Sequence, residues 1–251
     1  METTESSKPL TDKIALVTGA SRGLGAALAL QLAQAGAHVV AVARTVGALE
    51  ELDDKIQSAG GSATLVPLNV TDWDGVARLA MALDERYGRL DVLVGNAGVL
   101  GPLSPLDHVE PKAWDNVMSV NVTANWQLIR CMNPLLVRAD AGRAVFLTSG
   151  VAHAGRAYWG PYGASKAALE AMVRTYAAET QITNVRVNLF SPGPTRTRMY
   201  AAAFPGIDPE TLPTAEEVAK TIVPLCLPDC ADSGRLYSYR AGRFLDYHPP
   251  S

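Results

Sequence analysis

The chain has 251 residues, 48% of them hydrophobic, enough to bury roughly three quarters of its unfolded surface in one core. Its 22 basic and 25 acidic residues leave a net charge of −3 and form no long block of either sign, which excludes the electrostatic footprint of a nucleic-acid-binding protein. Three cysteines, Cys131, Cys226 and Cys230, are odd in number and lack C-x-x-C spacing, which excludes a disulfide framework or a zinc site and fits a reducing compartment.

Residues 1–10 carry acids and hydroxyls where a secretory signal needs a basic start and an apolar core, so a solvated, disordered tail is expected there. No uninterrupted apolar run of about 18 residues follows, so neither a membrane span nor a membrane partner is expected, and the location expected is the cytoplasm. Residues 11–251 are expected to form a single domain. Strands are expected at 13–18, 38–43, 63–68, 91–95, 143–148, 185–190 and 235–239, each separated from the next by a helix-length stretch. Runs such as "VVAVA", "VLVG" and "AVFLT" are apolar at nearly every position, as a strand covered on both faces requires. The fold class expected is α/β, a doubly wound, parallel, seven-stranded sheet with helices on both faces. Ligands of such sheets bind beyond the carboxyl ends of the strands. The Pro- and Gly-rich stretch at 193–213 is the one segment long enough to form a lid there.

Directly after the first strand comes "GASRGLG". Gly19 permits a sharp turn, Gly23 lets an anion approach the backbone, and Gly25 lets helix and strand pack closely. An anion placed there rests on free N–H groups at the positive end of the helix, with Ser21, Arg22 and Leu24 between the glycines. No Gly-Lys-Ser/Thr follows, which excludes a Walker A loop. The second strand ends in Ala43 and Arg44, where enzymes using NAD carry an acid to hold the ribose hydroxyls. A guanidinium at Arg44, with Arg22 opposite, suits a 2′-phosphate instead.

In "PYGASKAAL", Tyr162 and Lys166 stand i, i+4 on a helix that Pro161 is suited to start, and so project from one face. A free tyrosine ionises near pH 10. An ammonium about 4 Å away, at an effective dielectric of about 20, contributes roughly 4 kcal/mol, or about three pKa units, so the phenol is expected to titrate near neutrality. A general acid/base works best there. Ser149 ends the fifth strand thirteen residues earlier, close enough to hold the same substrate oxygen.

With these residues in place the chain resembles the short-chain dehydrogenase/reductase family over about residues 13–199. The features carrying the resemblance are Thr18 to Gly25, Asn96-Ala97-Gly98, Asn121, Ser149 with Tyr162 and Lys166, and Pro192-Gly193 followed by Thr197. The resemblance implies a Rossmann fold, an NADP cofactor with NAD also possible, and a small-molecule carbonyl or alcohol substrate. It implies a catalytic set of Asn121, Ser149, Tyr162 and Lys166. In that set Tyr162 moves the proton, Ser149 holds the carbonyl, Lys166 lowers the tyrosine pKa and binds the ribose, and Asn121 holds a relay water. Cofactor contacts are implied for Asn69 and Val70, for Asn96, Ala97 and Gly98, for Tyr162 and Lys166, and for Pro192, Gly193, Thr195 and Thr197. The helices at 111–137 and 161–180, apolar beyond what one sheet face covers, form a two-fold bundle in the family, implying a homodimer or homotetramer.

Three departures stand out. Gly95 replaces a common Asn, a change expected to matter little. Asn69 replaces an Asp, and its amide oxygen can still accept a hydrogen bond. The C-terminal "GRLYSYRAGRFLDYHPPS" lacks the paired glycines of the acyl-carrier-protein reductases, so their substrate does not transfer. His153, Tyr158, Trp159 and 199–204 are candidate substrate walls, with His153 expected to be structural or solvated. Arg156 is a solvated charge or a contact to an acidic substrate. The alternative reading is a regulatory or scaffold protein that binds the nucleotide without turnover.

Overall fold

A computed structural model describes residues 8–247. In chain order it contains β1 (Ile14–Thr18), α1 (Gly23–Gln34), β2 (His38–Ala43), α2 (Val46–Ser58), β3 (Ser62–Pro67) and α3 (Trp73–Tyr87). Then come β4 (Val92–Gly95), α4 (Pro111–Met118), α5 (Ala124–Arg138), β5 (Arg143–Leu147) and α6 (Gly160–Glu179). The chain continues through β6 (Arg186–Ser191), α7 (Arg198–Ala203), α8 (Ala215–Lys220), β7 (Leu236–Ser238) and β8 (Arg243–Leu245). The sheet runs β3-β2-β1-β4-β5-β6-β7-β8 and is parallel from β1 to β7.

The expected strands are present within a residue or two of their predicted ends. Among the described residues the sheet nevertheless has eight strands rather than seven, because β8 returns antiparallel to β7. Three residues are too few to show a period of two, and β8 is held by its neighbours rather than by its own pattern. Phe244 stands edge-on to Tyr237 at 5.2 Å, and Arg235 lies over the Phe244 ring while pairing with Asp246 at 3.1 Å.

Alternation of side chains along the strands divides the core in two. Val17, Val39 and Ala41 face α1, α2 and α8; Leu16, Val40, Leu93 and Phe146 face α3, α5 and α6. Phe146 and Phe190 are completely buried, each contributing about 1.5–3 kcal/mol of transfer free energy. At the start of the chain, residues 1–7 of the expected tail lie outside the described residues. Leu10 belongs to the core instead: it is 1% exposed, and its N–H donates to the Ala35 carbonyl at 2.9 Å.

The strand order reverses between β1 and β4, so the turns leaving these two strands flank an open crevice. No helix among the described residues is long and apolar enough to cross a membrane.

Candidate active site

The glycine loop leaves β1 with φ near +66° at Gly19, in the left-handed region where a side chain is strained. A Cβ there would lie 2.8 Å from Asn96 Nδ2, and one on Gly25 would lie 2.3 Å from the Gly19 carbonyl oxygen. Both glycines therefore serve the packing of the loop on itself. Gly23 differs: with φ near +54°, a Cβ there would meet only Thr197, at 3.5 Å. Arg22 precedes α1 in extended conformation, and no side chain caps the helix, so its first N–H groups stay free to face an anion. Ser21 and Leu24 are half-buried in the same loop, and Arg22 is exposed.

Asn96 stitches this loop to β4. Its Nδ2 donates to the Thr18 carbonyl at 2.8 Å, while Thr18 Oγ1 accepts from the Asn96 and Ala97 N–H groups at 3.0 and 3.1 Å. Thr18 is thus a site-building residue that sequence reasoning did not single out, although it opens the motif. Gly98 brings backbone beside the lysine, since a Cβ on it would sit 3.7 Å from Lys166 Nζ. Gly95 matters more than expected: any Cβ would strike the Phe146 ring at 2.3 Å and Asn125 Oδ1 at 2.5 Å.

Past β2, Ala43 is buried and Arg44 exposed, and among the described residues neither Arg44 nor Arg22 forms an ion pair. Asn69 is exposed after β3, its Oδ1 accepting from the Thr71 N–H at 3.3 Å, and Val70 is buried beside it. On the far side of the crevice Pro192 and Gly193 leave β6, and Thr195 is buried. Thr197 caps α7, accepting from the Tyr200 N–H at 3.2 Å.

Tyr162, Lys166, Ser149 and Asn121 converge from three parts of the chain. Pro161 stands at the start of α6, as its fixed φ allows. Tyr162 and Lys166 are 8% and 4% exposed, and Lys166 Nζ lies 5.6 Å from the tyrosine ring centroid, donating to the Leu147 carbonyl at 2.8 Å. Ser149 follows β5. Asn121 sits in a π-helical turn (Ser119–Thr123) between α4 and α5, the kind of local widening that recurs at functional sites. Its Nδ2 donates to Ser165 Oγ at 3.0 Å and to the Val99 carbonyl. Its own carbonyl accepts from Asn125 Nδ2 at 2.8 Å, so that oxygen already has one partner.

The ionisation state departs from expectation. Burial pushes the Tyr162 phenol up to about 12, with the Ser149 hydroxyl opposing the rise, and pulls Lys166 down to about 8. Both charged forms lose water, and the ammonium is bonded to the Leu147 carbonyl, so desolvation dominates both shifts.

Over Tyr162 the wall is apolar. Met199 Sδ stands 4.0 Å from the hydroxyl, and Trp159 is edge-on to the ring at 6.0 Å. Phe204 packs 5.5 Å from Trp159, and Arg156 caps both rings at 4.8–5.1 Å. Tyr158 is 61% exposed, and His153 turns away to a buried carboxylate, Glu170, at 2.6 Å.

Fold and site together define a Rossmann-type α/β protein with a tyrosine–lysine pair at the carboxyl edge of its sheet. A family model, short chain dehydrogenase, matches residues 13–207. The chain is 39% identical over 243 residues to the uncharacterized oxidoreductase YciK of Escherichia coli (strain K12), covering 96% of this chain and 93% of that one. A short chain dehydrogenase from Pseudomonas syringae superposes with a TM-score of 0.89 at 38% identity, over 92% of this chain and 96% of that one. Another, from Escherichia coli CFT073 and complexed with NADPH, gives 0.84 at 36% identity, over 92% and 98%. This chain belongs to the short-chain dehydrogenase family.

Proposed function

We propose that the chain transfers hydride between NADP(H) and a small carbonyl/alcohol substrate, with Tyr162, Ser149, Lys166 and Asn121 as the groups that manage the proton. The observation that carries this is the meeting of a buried tyrosine and a buried lysine, one helical turn apart, with Ser149 at the carboxyl edge of the sheet.

The nicotinamide, when bound, supplies or accepts the hydride. Gly23, the free N–H groups of α1 and the backbone at Ala97 and Gly98 suit the nucleotide, and Lys166 suits its ribose. The unpaired Arg22 and Arg44, beside the uncharged Ala43, favour a 2′-phosphate, in keeping with the NADPH held by the Escherichia coli CFT073 relative. Ser149 holds the substrate oxygen against the Tyr162 hydroxyl, which gives it a proton in reduction and takes one in oxidation. A phenol kept protonated by burial is suited to the acid role. Lys166 eases loss of that proton by placing positive charge beneath the ring, and Asn121 fixes the floor of the site. Met199, Trp159 and Phe204 exclude water from the reacting carbonyl, with 193–213 acting as the lid. In solution the protein is a homodimer or homotetramer through α5 and α6, and it works in the cytoplasm.

The test is purified protein with NADPH and a panel of ketones, aldehydes and sugars, read as loss of NADPH absorbance. Turnover of at least one panel member is expected. Failure to bind either nicotinamide nucleotide overturns the reading.

A further inference from the structure

One turn beyond Lys166 on α6 lies a second charged side chain that the reaction above does not use. Glu170 is 2% exposed, between β5, the loop after it and the C-terminal segment. Thr148 Oγ1 donates to its Oε1 at 2.6 Å; Tyr247 Oη donates to its Oε2 at 2.7 Å; and His153 Nε2 meets the same oxygen at 2.6 Å. A carboxylate is tolerated at such depth only when it is bonded in this way or faces a positive charge. Here both hold.

We propose that Glu170 is a positioning residue, the buried counter-charge that keeps Lys166 in its ammonium form and so able to act on Tyr162. Residues four apart on a helix lie on one face, which sets the carboxylate on the same stripe as the ammonium. Around Lys166, the titratable or charged groups are Tyr162 and Glu170 on its own helix. Among the described residues, the elements packed against it contribute uncharged groups: the Leu147 carbonyl of β5, Asn121 of the π-turn and the backbone of Gly98. Burial drives the lysine toward its neutral form, and among the described residues the Glu170 carboxylate opposes it. The surroundings of Glu170 serve to hold that charge in place. Tyr247 is clamped by Arg174, whose guanidinium lies 4.1 Å from the ring centroid, and the His153 ring lies 5.9 Å from Tyr247 and shields the carboxylate on its open side. The C-terminal segment and the loop after Ser149 are thereby tied to the catalytic helix at a single carboxylate.

The catalytic consequence rests on the oxidoreductase reading, but the ionisation does not, so the two are tested separately. In the full-length protein with 13C-labelled lysine, the Lys166 signal is identified by its absence in Lys166→Met and followed by NMR against pH without nucleotide. A midpoint near 8 is expected for the native chain. In Glu170→Gln, which keeps the side-chain shape, it is expected to fall by about one unit, a tenfold change in the lysine equilibrium. Should Glu170→Gln not fold, Glu170→Met combined with Thr148→Val and Tyr247→Phe removes the two hydroxyl donors along with the acceptor and leaves no hydroxyl orphaned, while the half-exposed His153 turns to water. The same downward shift is expected in that protein. A midpoint unchanged in a folded carboxylate-free variant overturns the proposal, because a purely structural clasp would leave the lysine titration where it was. NADPH affinity measured on the same samples is expected to weaken from about pH 7 in Glu170→Gln and only above about pH 8 in the native chain. A shifted midpoint with no NADPH binding at any pH upholds the counter-charge and sinks the functional reading instead.

Discussion

Asn121 and Val99 face each other across two hydrogen bonds: the Val99 N–H donates to Oδ1 at 2.8 Å, and Nδ2 donates back to the Val99 carbonyl at 2.9 Å. With its third bond, to Ser165 Oγ, the amide locks the loop after β4, the π-turn and α6 into one unit. The backbone beside Lys166 is therefore held by a side chain on another element. Asn121→Ala strips these bonds and leaves buried groups unpaired, and should cost roughly 2–4 kcal/mol of stability. Urea unfolding monitored by circular dichroism measures it. A loss below about 1 kcal/mol would mean that water replaces the amide at no cost.

Tyr162→Phe removes only the phenolic oxygen, leaving the ring against Trp159 and beneath Met199. Turnover should fall by at least about 100-fold, the usual scale of general acid–base help, with NADPH affinity nearly unchanged. Steady-state rates and a nucleotide titration on the same preparation check both halves. Activity within tenfold of the native protein would show that the proton travels by another route.

Lys166 sets the pH behaviour. Its ordinary value of 10.5 is lowered to about 8 by burial, so between these values the unfolded chain holds more protons than the folded one. Stability contributed by this group therefore rises with pH across that window and is lowest below about pH 8, where an ammonium is kept buried. Lys166→Met should accordingly raise the unfolding free energy at pH 7 by roughly 1–3 kcal/mol while abolishing turnover. In the native protein, kcat/KM for carbonyl reduction should hold below about pH 8 and decline above it as the ammonium is lost. A flat profile through pH 10 would remove the lysine from the proton chemistry.

Cofactor choice should follow the end of β2. Two charge-assisted contacts from Arg22 and Arg44, at about 1.5–3 kcal/mol each, favour NADPH over NADH by about a hundredfold or more. Ala43→Asp with Arg44→Ala should move the ratio of kcat/KM values toward NADH by a similar factor, since the new carboxylate accepts from the ribose hydroxyls and repels a phosphate. Equal use of both nucleotides by the native protein would break the assignment.

Much of this protein is legible locally. The apolar strands, the glycine loop and the i, i+4 spacing of Tyr162 and Lys166 are patterns written within a few residues, because backbone geometry alone imposes periods of two and 3.6. What the tertiary structure decided involves partners distant in sequence or the loss of water. Leu10 is a core residue because Ala35 and α1 lie beside it, and β8 is a strand because Tyr237 and Arg235 hold it. Gly95 is required by the ring of Phe146 on the neighbouring strand. The phenol rises instead of falling because burial outweighs the opposing hydrogen bond of the Ser149 hydroxyl, and a sequence does not display burial at a single side chain. Glu170 reads as an ordinary helix carboxylate until the fold brings Thr148, His153 and Tyr247 around it, the last from 77 positions away. Covalent order determined which groups the chain carries and their local spacing; only packing decided which of them lose water together, and that loss sets their charge.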